Sequence, residues 1–340
     1  MAQSTADLPQ YQYPLGTEHQ LEYADLDALD ISRLNDPQGK QELASQVLSF
    51  VNKNGFFYVK GHGLTGDQIK RQYSIGRELF NLPLEEKLRC IANTEAGDFR
   101  GYKPRSTGEL GARDNDERYN IPKFTPEHER SHPKLIQDHF DEIKEFSLHV
   151  HNQVLLPLLR LFAYVLEIDE SYFASRHRYE ARGLEYLRYM KYFPRTEAED
   201  AAVNNIWAKG HTDYNTLTFL FHQPVSGLQV QTPEGWKYVK SFEDTIIVNV
   251  ATLLIVPSPV PLFATYMIEG MGIQWAGTLL GLFAFCLVPL PIWFYLRGAQ
   301  IRSKSSFAPT FPVANKASAN PDDEPESQSV SAPQDLEKQA

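Results

Sequence analysis

His211 and Asp213 stand one residue apart in "KGHTDYNTLTFLFHQPVSGLQV", residues 209 to 230, a stretch rich in Thr, Leu, Phe and Val. On a strand, side chains i and i+2 leave the same face, so an imidazole and a carboxylate at this spacing can converge on one ion. A helix would splay them apart. One neutral nitrogen and one hard oxygen, joined by a second histidine from elsewhere, make the three-sided donor set suited to non-haem Fe(II), with coordination positions left open for reactants. A lone His-x-Asp pair is also an ordinary surface or turn feature, so the surrounding chain has to decide between the two.

The remaining histidines offer little help as a third donor. His149 and His151 are two apart in a helical pattern and so point from different faces, which prevents joint chelation. His222 follows His211 by eleven residues, and a straight strand would carry it more than about 30 Å away. No histidine follows His222. The two cysteines, Cys90 and Cys286, are far apart and suggest neither a disulfide framework nor a thiolate metal site.

The elements that must position the pair can be read from local pattern. Asp36 and Pro37 form a helix start, and Leu43, Val47, Leu48 and Val51 recur at helical spacing until "NKNG", near Lys53. "GFFYVKGHG" reads as a buried strand between glycines. A second helix is expected through "TGDQIKRQYSIGRELFNL", then a Pro-initiated turn in "PLEEKLRC". Residues 139 to 168 carry Phe140, Ile143, Phe146, Val150, Val154, Leu158 and Phe162 at spacings of three or four, a long helix kinked at Pro157. From Gly183 onward the pattern turns to short strand-like runs, "LEYLRYMKYF", "TLTFLFH", "GLQVQT", "WKYVK" and "TIIVNV". Helices first and strands second predict an α+β fold whose second layer is a β-sandwich or jelly-roll.

These pieces together resemble a known family, the 2-oxoglutarate and Fe(II) dependent oxygenases of the isopenicillin N synthase type. The resemblance covers about residues 20 to 250 and rests on "GFFYVKGHG", "ELFNLPLEEKLR", "GYKPR", "LRYMKYFP" and above all "GHTDYNTLTFLFHQPVSGLQVQTPEGWKYV". It implies a helical N-terminal region leading into a double-stranded β-helix, with Fe(II) and 2-oxoglutarate as cofactors. The implied substrate is a small molecule, of the kind met in secondary metabolism. Carried over by motif, His211 and Asp213 match the first two iron ligands, Tyr192 matches a tyrosine that contacts the keto acid, and Arg188 matches the start of that motif. Ordinary strand packing is the competing reading for Arg188 and Tyr192. Met190 stands where relatives commonly have Asn, and His62 in the "GHG" turn looks structural in the family.

The resemblance stops near Val250. Relatives continue with strands that bring a distal histidine and an Arg-x-Ser element, whereas here neither follows, and Arg302 and Ser303 are adjacent. A truncated β-helix over 181–250 is therefore expected, with activity impaired in the chain as written. Residues 251 to 296 contain a single charge, Glu269, and 271 to 296 contain none, a stretch long enough to span a bilayer. Trp275, Trp293 and Tyr295 would sit as interfacial aromatics, with Arg297, Arg302 and Lys304 as a cytoplasmic anchor. The preceding run, 251 to 268, holds three prolines and reads as a weaker span or re-entrant piece. Residues 261 to 309 resemble the last transmembrane helix and tail of a fungal major facilitator superfamily transporter. One such helix cannot form a transport path. The alternative reading is accordingly a non-catalytic, membrane-tethered chimera with its seam near Val250.

Expected boundaries are a flexible N-terminus at 1–20, the oxygenase N-terminal region at 21–180, the truncated core at 181–250, the membrane segment at 251–296 and a disordered tail at 297–340. The net charge of −10 and a charged fraction of 22% give no basic footprint, so nucleic acid is excluded as an expected partner. The N-terminus shows no secretory pattern, which places the N-terminal region in the cytoplasm, attached to membrane through 271–296. No pattern bears on oligomeric state.

Overall fold

The computed structural model describes residues 8–106, 115–208 and 210–255, together with scattered positions between 270 and 297. Strand β1 (Ala28–Asp30) precedes helix α1 (Pro37–Lys53), which starts where the sequence places it. Asp36 accepts from the Gly39 amide at 2.7 Å, and Pro37 occupies the first turn, where a missing N–H costs nothing. Strand β2 (Phe56–Lys60) follows, then helix α2 (Gly66–Asn81), opened by a capping box in which Thr65 and Gln68 satisfy each other's backbone amides. The short helix α3 (Leu84–Leu88) comes after Pro83.

The run expected as one kinked helix is divided further. After the short helix α4 (Lys134–Asp138), it contains α5 (Phe140–His149), a π-helical stretch Val150–Leu155, and α6 (Leu156–Val165). Pro157 has no N–H to donate one turn back, and the wider π turn just ahead of it absorbs that loss.

The strands form three sheets. One is β3 (Gly101–Lys103), β4 (Asp116–Pro122) and β5 (Tyr186–Tyr192), all antiparallel. The second joins β1, β2, β6 (Leu217–Phe221) and β9 (Ile246–Val250) in the order β1-β2-β9-β6. The third is the hairpin β7 (Gln229–Thr232) and β8 (Gly235–Tyr238).

Alternation decides which face of each sheet is covered. In the four-stranded sheet, Phe57, Val59, Ile246 and Val248 pack against Leu43, Val47 and Phe50 of α1 and Leu158, Leu161 and Phe162 of α6. Tyr58 and Ile247, on the opposite face, meet Val230 of β7 together with Val239 and Ala24. In the three-stranded sheet, Tyr102, Tyr119 and Tyr189 stand side by side on the buried face against Ile75 and Leu79 of α2, Ile136 of α4 and Ile143 of α5. The α+β class holds, with helices on one face and a hairpin on the other.

Two expectations change. Residues 210 to 213 are not a strand: the regular strand begins only at Leu217, so His211 and Asp213 lie on the loop that leads into β6. Residues 8–20, expected within a flexible terminus, carry Tyr11 stacked on Tyr73 of α2 at 5.2 Å and Tyr13 edge-on to His222 at 5.3 Å. The chain divides into two compact units, Met1–Pro261 and Leu262–Ala340. The expected membrane segment and tail lie outside the described residues except at scattered positions, and among the described residues no helix is long and apolar enough to cross a membrane.

Candidate metal centre

Gly210 brings the chain into the site under Trp236 of β8: a β-carbon at this position would stand 2.8 Å from the indole ring, closer than such atoms approach. Immediately after it, His211 and Asp213 turn toward each other, with Nε2 of the imidazole 3.4 Å from Oδ1 of the carboxylate. Their convergence therefore does not need the strand geometry from which it was expected. The loop is held instead by backbone bonds to the end of β9, from the Thr252 amide to the Asp213 carbonyl and from the Ala251 amide to the Thr216 carbonyl, both 3.1 Å. The imidazole is 69% exposed and the carboxylate 26%.

The other carboxylate oxygen faces the sheet. Oδ2 of Asp213 accepts from the Thr218 hydroxyl at 2.6 Å and from the Asn249 amide at 2.9 Å. Neither Thr218 nor Asn249 was identified from sequence. The available signal was Asn249 itself, a polar residue inside the apolar run "TIIVNV".

Fe(II) fits part of this donor set. Two bonds of about 2.1 Å meeting at roughly a right angle or slightly wider put their donor atoms about 3.0–3.4 Å apart, as Nε2 and Oδ1 are here. Among the described residues no group of three or more His, Cys, Asp or Glu is placed to hold a metal ion. The third donor is not among them.

Each of the other histidines has a different environment. His62 Nδ1 accepts from the Leu64 amide at 3.2 Å, and the His149 ring bonds the His62 carbonyl at 2.7 Å, so both serve the turn after β2. His151 is buried in the π-helical stretch against the edge of Tyr179. His222 is buried, with Nδ1 2.9 Å from the Ser241 hydroxyl.

Arg188 and Tyr192 share one face of β5, four residues apart. The Arg188 guanidinium donates to Asn120 Oδ1 and to the Tyr186 hydroxyl, both at 2.8 Å, and burial lowers it from its ordinary value. Tyr192 lies opposite Asp116 on β4 and is half exposed. Met190 lies opposite Arg118. Among the described residues no hydrogen bond or ion pair links Arg188 or Tyr192 to His211 or Asp213.

Comparison with known proteins bears on the family of the chain. Residues 26–144 match the model of the non-haem dioxygenase N-terminal region named for morphine synthesis, and residues 184–259 match that of the 2OG-Fe(II) oxygenase superfamily. The second match runs past Val250 and ends at residue 259. Leucoanthocyanidin dioxygenase 1 of Oryza sativa subsp. indica is 28% identical over 240 residues, 68% of this chain and 63% of its own length. The 2-oxoglutarate-dependent dioxygenase gloE of Glarea lozoyensis is 28% identical over 241 residues, 69% of this chain and 70% of its own. The chain thus spans somewhat under two thirds of the rice enzyme's length. A full-length Neurospora crassa protein, solved with alpha-KG and thymine, superposes with a TM-score of 0.58 at 26% identity, covering 67% of this chain and 74% of that one. With both models matched in chain order over more than half its length, and the His-x-Asp pair folded so that its donor atoms converge, the chain belongs to the 2-oxoglutarate/Fe(II)-dependent dioxygenase family, whose cofactors are Fe(II) and 2-oxoglutarate.

Proposed function

We propose that this protein is an Fe(II)- and 2-oxoglutarate-dependent oxygenase acting on a small molecule. The observation that carries the reading is the 3.4 Å approach of His211 Nε2 to Asp213 Oδ1 at the mouth of β6. When bound, the iron with 2-oxoglutarate would supply O2-dependent oxidation of a substrate C–H bond. The chain's own contribution is ligation by His211 and Asp213, with orientation of the carboxylate by the sheet behind it. Arg188 and Tyr192 are proposed to meet the keto acid from the uncovered face of β5. That the Neurospora crassa relative was solved with alpha-KG and thymine supports a small planar molecule as the substrate class.

Two protein donors hold a metal less firmly than three, so turnover of the chain as written is expected to be low unless a further donor arrives from outside the described residues. The experiment is an anaerobic titration of the full chain with Fe(II) and 2-oxoglutarate, watching for the visible metal-to-ligand charge-transfer band. A band lost in His211→Ala and in Asp213→Ala is the expected result. Its absence from the wild-type chain would favour the reading as a non-catalytic remnant. We further propose that residues 271–296 attach the chain to a bilayer. Sedimentation of the full chain with phosphatidylcholine vesicles, lost when these residues are deleted, is the supporting outcome, and full recovery in the supernatant counts against it.

A further inference from the structure

We infer that Thr218 and Asn249 are positioning residues that hold Asp213 so that only one of its carboxylate oxygens faces a bound divalent metal ion. This deepens the proposed function and rests on it.

The two residues are direct partners across the β6–β9 pair, so their side chains leave the same face of the sheet. Both donate to one atom, Asp213 Oδ2, at 2.6 and 2.9 Å. A carboxylate oxygen offers about two lone-pair directions, and two donors occupy both. The Thr218 hydroxyl has two acceptors in reach, Asp213 Oδ2 at 2.6 Å and Asn215 Oδ1 at 3.4 Å, and its one proton goes to the nearer, acceptor-only carboxylate, while Asn215 Nδ2 at 3.0 Å can donate to the hydroxyl oxygen. Oδ1 is then the oxygen left for a metal, and it is the one that faces His211.

The chemical consequence concerns the coordination mode. A carboxylate free to rotate about its Cβ–Cγ bond can take a metal through both oxygens, closing a position that a co-substrate needs, or can swing away from it. Tied at Oδ2 by two strands, Asp213 presents a single oxygen and leaves the rest of the metal's positions open. Orienting partners of this kind typically change metal affinity by about 10- to 100-fold when removed. A purely structural role predicts something different. The loop is already fastened by the Thr252 and Ala251 backbone bonds, so removal of the two side chains would then leave the metal site unchanged.

The test uses the full chain and Co(II), which binds such sites and reports coordination number through its visible bands. Trp236, whose ring lies against Gly210, supplies a second signal through fluorescence quenching. Thr218→Val and Asn249→Leu each keep approximate shape while removing a donor, and Thr218→Ser keeps the hydroxyl. The expected result is Co(II) binding weakened about tenfold or more in Thr218→Val and in Asn249→Leu. Weaker visible bands, as a second oxygen raises the coordination number, should accompany it, with Thr218→Ser close to wild type. Equal affinity and unchanged bands in both donor-removing variants, alongside wild-type binding abolished by His211→Ala, would overturn the inference and leave the proposed function intact. A wild-type chain that binds no Co(II) would overturn both.

Discussion

Asp213 divides its two oxygens between a histidine and a pair of strand residues, and only the first half of that arrangement is visible in a motif. His-x-Asp is a spacing, so His211 and Asp213 could be identified without any knowledge of the fold. Asn249 lies 36 residues beyond Asp213, and the contact exists only because β9 folds back beside β6. Gly61 shows the same contrast on a smaller scale. It sits at φ +68°, where a β-carbon would collide with the Asp30 carboxylate and approach Ser32 Cβ to 2.9 Å. That carboxylate caps the turn Ile31–Asn35, accepting from the Ser32 amide at 3.1 Å and its hydroxyl at 2.6 Å. Gly61→Ala should therefore lose about 1–2 kcal/mol through the left-handed backbone and about 1 kcal/mol more through the disturbed cap. Gly66, at the open start of α2 with nothing near its would-be β-carbon, is the control. Gly66→Ala should be neutral or slightly stabilising in urea unfolding, and equal losses at the two positions would refute the argument.

At the scale of elements, what was legible is what local chemistry encodes. The start of α1 at Pro37, its end at Lys53 and the five strands after Gly183 follow from caps, periodicity and turn residues. The loop 210–213 departs from strand geometry because its conformation is imposed from outside, by the Trp236 ring and the β9 backbone, and alternation carries no trace of either. The π-helical stretch before Pro157 is illegible for a related reason: a proline marks that a helix must adjust but not on which side it does so. Where local encoding is strong, it can be tested locally. In the capping box of α2, the Gln68 amide donates to Thr65 Oγ1 at 3.2 Å and the Thr65 amide to Gln68 Oε1 at 2.9 Å. Thr65→Ala is expected to cost about 1 kcal/mol, read as a lower urea midpoint at unchanged slope, with Thr65→Ser retaining most of the stability. An unaltered midpoint would mean that tertiary packing alone fixes the start of this helix.

For the molecule as a whole, burial of neutral histidines sets how it responds to acid. His132 is buried beside Tyr119, whose hydroxyl lies 2.8 Å from its Nδ1, and burial followed by the Arg130 charge lowers it from 6.5 to about 4. His62, His151 and His222 are lowered as well, in each case chiefly by burial. Between pH 6.5 and 4 the unfolded chain therefore takes up protons that the native chain refuses, so stability is complete above pH 6.5 and declines as pH falls through this window. For His132 alone the loss approaches about 2 kcal/mol by pH 5 and on the order of 3 kcal/mol by pH 4. Carboxylates held low by their partners, such as Asp98 beside Arg100, lose their contribution only below the ordinary carboxylate range and do not act at the upper end of this window. Urea unfolding at pH 7.5 and at pH 5 separates the two groups. The wild-type chain should be less stable at pH 5 by at least about 2 kcal/mol, and His132→Gln should show a visibly smaller difference between the two pH values. Stability that is flat from pH 7.5 to 5 would show that these rings are protonated in the folded state, and would remove buried neutral histidine as the source of acid sensitivity.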